Sequence, residues 1–236
     1  AYLAIEAWER YVFAGLSPRI MTEAGNTAMF AAIATGIAVG LGLVVTGAAR
    51  LRPGRFTQGL ARVSTLGYAV PGTILAIGLL PVITLADRQI DAVARAIWGS
   101  GPGLLLLGSG AALIYAYTAR FLAIATGGIE SGLSRVPPSL DHVARTLGRT
   151  PAAVFREVHV PISRPALAAA GLLIFVDCVK ELPATLLLRP LNFETLATHL
   201  YGEAARGTYE DAAIAALIIV AIGILPVIVL ARTIRR

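Results

Sequence analysis

Three ionisable residues, Asp177, Lys180 and Glu181, close an otherwise apolar stretch running from Ala166 to Leu182. If that stretch is a helix, their i, i+3, i+4 spacing places them on one face. Facing lipid, each would cost about 2.5–3.5 kcal/mol on insertion scales. They must therefore face protein or a wet cavity. Two roles suit them: a charged lining that a cation meets while crossing, or an ion pair of Lys180 with one carboxylate that fixes helix packing. Paired carboxylates favour a hard cation by charge, while the ammonium between them opposes a tight metal cage. Lys180 is the sole lysine, and no glycine precedes it from Phe175 to Val179. No Gly-x-x-x-x-Gly-Lys phosphate loop exists, so any ATPase belongs to another chain or domain. The histidines, His142, His159 and His199, are too dispersed to form a metal site. His199 alone could meet an incoming metal, or it is a surface residue on a helix from Glu194 to Ala205. The single Cys178 offers neither a disulfide nor a metal cluster. No cofactor and no covalent catalysis are expected of the chain itself.

The elements that carry these residues follow from composition. With 56% hydrophobic and 14% charged residues and a mean hydropathy of +0.74, the 236-residue chain is too apolar for an ordinary soluble domain. The net charge of +6 is scattered at the ends of apolar runs, which excludes a nucleic-acid patch and implies an anionic membrane face. Five stretches are long enough to span: Thr27 to Ala49, Leu66 to Ala86, Gly103 to Ala125, Ala166 to Leu182 and Ala212 to Ala231. The expected fold is an all-α polytopic membrane bundle. Residues 1–25, with Trp8, Tyr11 and Phe13, read as a membrane-surface helix.

Basic loops stay on the cytoplasmic side. Arg50, Arg52, Arg55 and Arg62 follow the first span, six arginines from Arg120 to Arg164 follow the third, and Arg232, Arg235 and Arg236 form the tail. The acids Glu6, Glu9, Glu23, Asp87, Asp91, Glu194, Glu203, Glu210 and Asp211 fall on the alternate face. This places the N-terminus outside and the C-terminus inside, with 183–211 outside and 127–165 inside. Ala32, Gly36 and Gly40 form a small-xxx-small stripe in the first span. Pro71, Gly72 and Pro226 should kink or unwind their spans. Thr208 and Asp211 form a capping-box pattern.

Between the third and fourth spans, Ser139 can cap a helix running to about Leu147, Gly148 supplies a permissive bend, and Thr150 with Pro151 opens a second helix that ends at Pro161. Such a pair suits docking into a groove of a peripheral subunit, or it lies on the lipid surface.

This loop resembles the EAA loop in permease subunits of binding-protein-dependent ATP-driven importers, the type I ABC importer fold. Gly148 is followed after nine residues by Val158-His159-Val160-Pro161, and preceded by His142, Val143 and Ala144 where the family has Glu-Ala-Ala. The runs Gly67 to Pro81 and Lys180 to Pro190 are similar to the C-terminal half of fused ferric-iron permeases. The resemblance covers essentially the whole chain, which makes residues 1–236 one permease domain, cut from a longer polypeptide. It implies several partners: an ATPase subunit dimer using ATP-Mg, a periplasmic substrate-binding protein, a homologous permease half and the bacterial inner membrane. The implied ATPase-coupling residues are His142, Ala144, Arg145, Leu147, Gly148, Arg149, Phe155, Val158 and Pro161, with Asp177, Lys180 and Glu181 on the substrate pathway. Ferric iron is the implied cargo; thiamine, polyamines, phosphonates and oxyanions share the loop. A secondary transporter or channel driven by an ion gradient, with Asp177 and Glu181 as relay, is the other class.

Overall fold

A computed structural model describes residues 2–234; Ala1, Arg235, Arg236 and the side chain of Arg232, all used in the readings above, lie outside it. Among the described residues every regular element is helical. In chain order these are α1 (Tyr2–Ala14), α2 (Pro18–Leu51), α3 (Arg55–Ser64), α4 (Leu66–Ala69), α5 (Gly72–Trp98), α6 (Gly110–Leu133), α7 (Pro138–Thr146), α8 (Pro151–Val154), a π turn (Phe155–His159), α9 (Val160–Ile162), α10 (Arg164–Val179), α11 (Pro183–Leu188), α12 (Leu196–Arg206) and α13 (Tyr209–Ile234).

Four helices are long and apolar enough to cross a membrane: α2, α5, α6 and the Tyr209–Ile228 part of α13. A fifth candidate joins Pro151–Ile162 to α10 through a 70° bend. The boundaries differ from the sequence expectation for physical reasons. Pro71 breaks the second stretch, so α5 starts at Gly72 and runs on to Trp98, through charges that read as a loop. The third helix starts at Gly110 rather than Gly103, because Gly103 and Gly108 adopt φ of 72° and 79° and turn the chain. The fourth stops at Val179, leaving 16 residues, about 24 Å at 1.5 Å per residue, short of a hydrocarbon core of about 30 Å. Pro226 leaves α13 unbroken.

The chain forms two compact units. The first comprises Ala1–Ala34, Pro71–Tyr117 and Phe175–Pro226; the second comprises Thr35–Val70, Thr118–Ile174 and Val227–Arg236. In the first, Ala7 and Ile20 pack with Leu196, Ala213, Ile214 and Ala215. Thr27 Oγ1 accepts the Leu196 amide at 2.9 Å, and Asn26 Nδ2 donates to the Glu194 carbonyl, so one turn of α2 fixes the entry to α12. α11 lies against α5. Asp87 is fully buried; its Oδ1 accepts the amides of Leu105 and Leu106 at 3.0 and 2.8 Å, and its Oδ2 accepts that of Leu107 at 2.8 Å. The turn before α6 is thereby anchored to α5. The capping box does not form: the Thr208 hydroxyl donates to the Glu203 carbonyl and carboxylate, and Asp211 pairs with Arg10 of α1.

In the second unit the close approach falls elsewhere than the Ala32, Gly36, Gly40 stripe, which is exposed. A Cβ on Gly128 would lie 2.7 Å from Ala170 Cβ, and one on Gly132 2.7 Å from Ala166 Cβ. α6 and α10 thus each contribute a small-xxx-small pair. The exterior carries large apolar side chains such as Val44, Ile77 and Val82, as lipid contact requires.

Two stability predictions follow from these contacts. Each hydrogen bond to a charged acceptor contributes about 1.5–3 kcal/mol. Asp87→Ala, which strips three, should lower unfolding free energy in detergent by about 3 kcal/mol or more, and Asp87→Asn by less; equal stability of all three proteins would refute this anchor. Gly132→Leu should destabilise by about 1–3 kcal/mol through overpacking, whereas Gly36→Leu, with nothing within 4 Å of its Cβ, should unfold like the parent in thermal melts.

Candidate functional site

The charged loop of the second unit is built on two helix ends. At the end of α7, Gly148 adopts φ 74°, its amide donates to the Arg145 carbonyl, and the Arg149 amide donates to the Ala144 carbonyl at 3.0 Å. This pairing is a Schellman stop, which needs the left-handed conformation glycine adopts freely. Thr150 then caps α8 through the Ala153 amide, with Pro151 at its first position. The π turn follows and places Pro161 in α9. Its wider ring keeps a backbone partner, the Val160 amide on the Phe155 carbonyl, just ahead of a residue that has no amide to give.

The predicted loop residues separate into two groups. His142, Arg145, Leu147, Gly148 and Arg149 are exposed, Leu147 at 76%. Ala144 is buried, and Phe155, Val158 and Pro161 are half-buried. Phe155 is turned inward: a Cβ on Gly47 would lie 2.8 Å from its ring, so the ring lies directly on α2 backbone. The ring of Phe155 thus packs on α2 from within the loop. Arg149 pairs with Glu157 at 3.5 Å.

Beneath the exposed tip lies a network that sequence reasoning missed. The Arg50 guanidinium, at the end of α2, donates to the Leu133 carbonyl at 2.6 Å and the Val136 carbonyl at 3.0 Å, and reaches Asp141 Oδ2 at 3.4 Å. Asp141 Oδ1 lies 2.5 Å from Nε2 of His159, which is 1% exposed. Burial pushes the Asp141 carboxyl up, but the His159 hydrogen bond and the charges of His159 and Arg50 outweigh it and hold the group below its usual value. An ionised Asp141 only accepts, so Nε2 carries the proton. The family glutamate position holds the exposed His142, while its neighbour Asp141 forms the ion pairs. No linear spacing announces this, because the three partners come from α2, α7 and the π turn.

The polar residues near the end of α10 lie in the first unit. Asp177 pairs with Lys180 at 2.8 Å. Lys180 and Glu181 fall beyond the helix end, so the shared face extends only over Asp177 and its own turn. Glu181 Oε1 accepts the Ala184 amide at the start of α11, and its carbonyl accepts from Thr185, whose hydroxyl meets Tyr117. Asp177 and Glu181 are both 7% exposed. His199 is neither a surface residue nor a lone ligand: its Nδ1 pairs at 2.8 Å with Glu23, which Arg19 also meets. Nearby, the Thr208 hydroxyl, Arg206 and His199 hold Glu203 below the usual carboxyl range against its burial. An open cleft of about 740 Å³ is lined by Arg19, Glu23, Asn26, Arg189, Asn192 and Glu194 among others. No group of three or more His, Cys, Asp or Glu residues suited to a metal occurs among the described residues.

Residues 36–236 match the family of binding-protein-dependent transport system inner membrane components. The Fe(3+)-transport system permease protein FbpB 2 of Haemophilus influenzae is 32% identical over 50% of this chain, a stretch equal to 23% of that protein. The putative 2-aminoethylphosphonate transport system permease protein PhnV of Salmonella typhimurium is 26% identical over 75% of this chain and 61% of its own length. Among solved structures, an inward-facing MetNI methionine ABC transporter chain superposes with a TM-score of 0.68 at 18% identity, covering 93% of this chain and 98% of that one. A chain of a bacterial alginate ABC importer gives 0.73 at 15% identity, covering 97% and 83%. The chain spans less than two thirds of the length of these curated relatives; it belongs to the binding-protein-dependent transport system inner membrane components, has the ABC importer permease fold and is a multi-pass inner-membrane protein.

Proposed function

We propose that the chain forms one half of the translocation pathway of an ATP-driven importer and takes its drive from a separate ATPase through the Leu147-Gly148-Arg149 tip. The exposed tip at the Schellman bend carries this reading. Leu147 offers an apolar anchor, Arg145 and Arg149 offer charge, and His142 sits on the same exposed side of the loop. The arginine distribution supports a cytoplasmic loop and C-terminus, with the N-terminus outside. ATP-Mg is bound by the partner dimer, and a homologous half, fused or separate, completes the pore. The cleft lined by Arg19, Arg189 and Glu194 suits a periplasmic binding protein.

Cargo is a finer matter. Asp177 and Glu181 are acidic side chains of a kind that suits a cation better than an anionic phosphonate. With the Haemophilus relative, this supports ferric iron. Asp177 and Glu181 then stand beside the route, and the Asp177–Lys180 pair prevents tight retention.

In proteoliposomes holding the permease, its ATPase and binding protein, iron-loaded binding protein should stimulate ATP hydrolysis. Leu147→Asp should lower ATPase retention by about tenfold or more, the effect of 1.4 kcal/mol or more, and Gly148→Asp should abolish stimulation. Full activity in both variants would sink the coupling tip, and an ATPase that never associates would return the chain to the gradient-driven class. Glu181→Gln keeps an acceptor for the Ala184 amide; it should lower iron transported per ATP with retention unchanged, and wild-type transport would remove Glu181 from the route.

A further inference from the structure

Docking at the tip moves the membrane helices only if the loop is rigidly joined to them. Two contacts provide that joint within the second unit. Arg50 ties the end of α2 to the Leu133 and Val136 carbonyls just where α6 gives way to α7, and to the Asp141 carboxylate. Asp141 passes the connection to His159 in the π turn, which Phe155 holds edge-on at 5.8 Å while its ring lies on Gly47 of α2. Three elements distant in sequence therefore meet at one carboxylate. The ordinary alternative is that these polar groups merely satisfy one another. Three features exceed that requirement. The guanidinium bridges the Leu133 carbonyl that ends α6 and the Val136 carbonyl in the linker to α7; among the described residues the His159 ring is oriented by Nε2 alone, since Nδ1 has no hydrogen-bond partner there; and the polar links join α2 to α6, α2 to α7 and α7 to the π turn.

We infer that Arg50, Asp141 and His159 are positioning residues that make the loop and the inner ends of α2 and α6 move as one rigid lever. The inference rests on the importer reading, since a lever needs an ATPase to act on it. Gln at 159 can still donate to Asp141, whereas Leu cannot, so the lever predicts rescue by the first and loss by the second.

The test uses the assembled transporter with spin labels at Ser134→Cys and Arg156→Cys, both exposed, and pulsed dipolar spectroscopy without nucleotide and with ATP and vanadate. In the parent, the distance distribution should be narrow and the same in both states. His159→Leu should broaden it, and His159→Gln should restore it. In ATPase assays, His159→Leu and Asp141→Asn should each reduce binding-protein stimulation by roughly 5- to 150-fold, the range of site-to-site coupling, with ATPase retention unchanged. The double variant should be no worse than either single, since both cut one connection. If Asp141→Asn fails to fold, the His159 pair still decides. A parent distance that shifts with ATP, or a His159→Leu protein indistinguishable from the parent, overturns the lever. Absent ATPase association in the parent overturns the importer reading instead, and the nucleotide-free distances still report on the joint.

Discussion

A charge or open backbone group placed in hydrocarbon must find its partner inside the protein, and this chain places its buried charges where helices begin, end or break. Asp87 holds three amides of the turn before α6. Arg50 holds two carbonyls past the end of α6. Glu181 receives the Ala184 amide where α10 gives way to α11. Glu23 meets His199 on α12. A helix interior satisfies itself, so the demand for outside partners concentrates at its ends. Each such residue therefore anchors a connection between helices.

This constraint explains what could be read from the sequence and what could not. The bend was legible at Gly148, Thr150 and Pro151, which act through local backbone geometry that one-dimensional spacing encodes; the helix ends around it were not, since Pro137 rather than Ser139 precedes the first turn of α7, and Pro161 lies inside α9 instead of ending the second helix. Four of the five expected spans were legible too, because apolar length is a local quantity; the fourth stretch is the exception, a 16-residue helix joined to its predecessor through a 70° bend. The ends of the spans were not legible. Asp87, Asp91 and Arg95 looked like a loop, yet they ride on the last turns of α5, where Asp91 accepts both Arg95 and the Gly103 amide. Leu104 to Leu107 looked like helix by composition, although Asp87 takes their amides into a turn. Both misreadings share one cause: a carboxylate whose partners lie about twenty residues away leaves no periodic trace.

Small residues show the same division. The stripe at Ala32, Gly36 and Gly40 has a regular spacing and is exposed, and among the described residues nothing lies within 4 Å of a Cβ on Gly36 or Gly40, while Gly128 and Gly132 face Ala170 and Ala166 at contact distance. Spacing marks where a close approach is possible; only the partner's own small residues make it happen. The same holds for Gly67, where a Cβ would meet the Ala119 carbonyl at 2.0 Å, so α4 is pressed onto α6 backbone with no side chain between them.

The loop combines these two kinds of contact with unequal tolerance. Its tip, at Leu147 and Gly148, is specified by backbone conformation and leaves side chains free to suit a partner. Its base is specified by Asp141, His159, Arg50 and the Phe155 ring, all directed inward, where each substitution strands a buried group or opens a void. The proposed coupling role needs both: an adaptable surface at the tip and an unyielding attachment at the base. The exposed His142 can therefore vary without touching the attachment, because the ion pairs at the base belong to its half-buried neighbour Asp141.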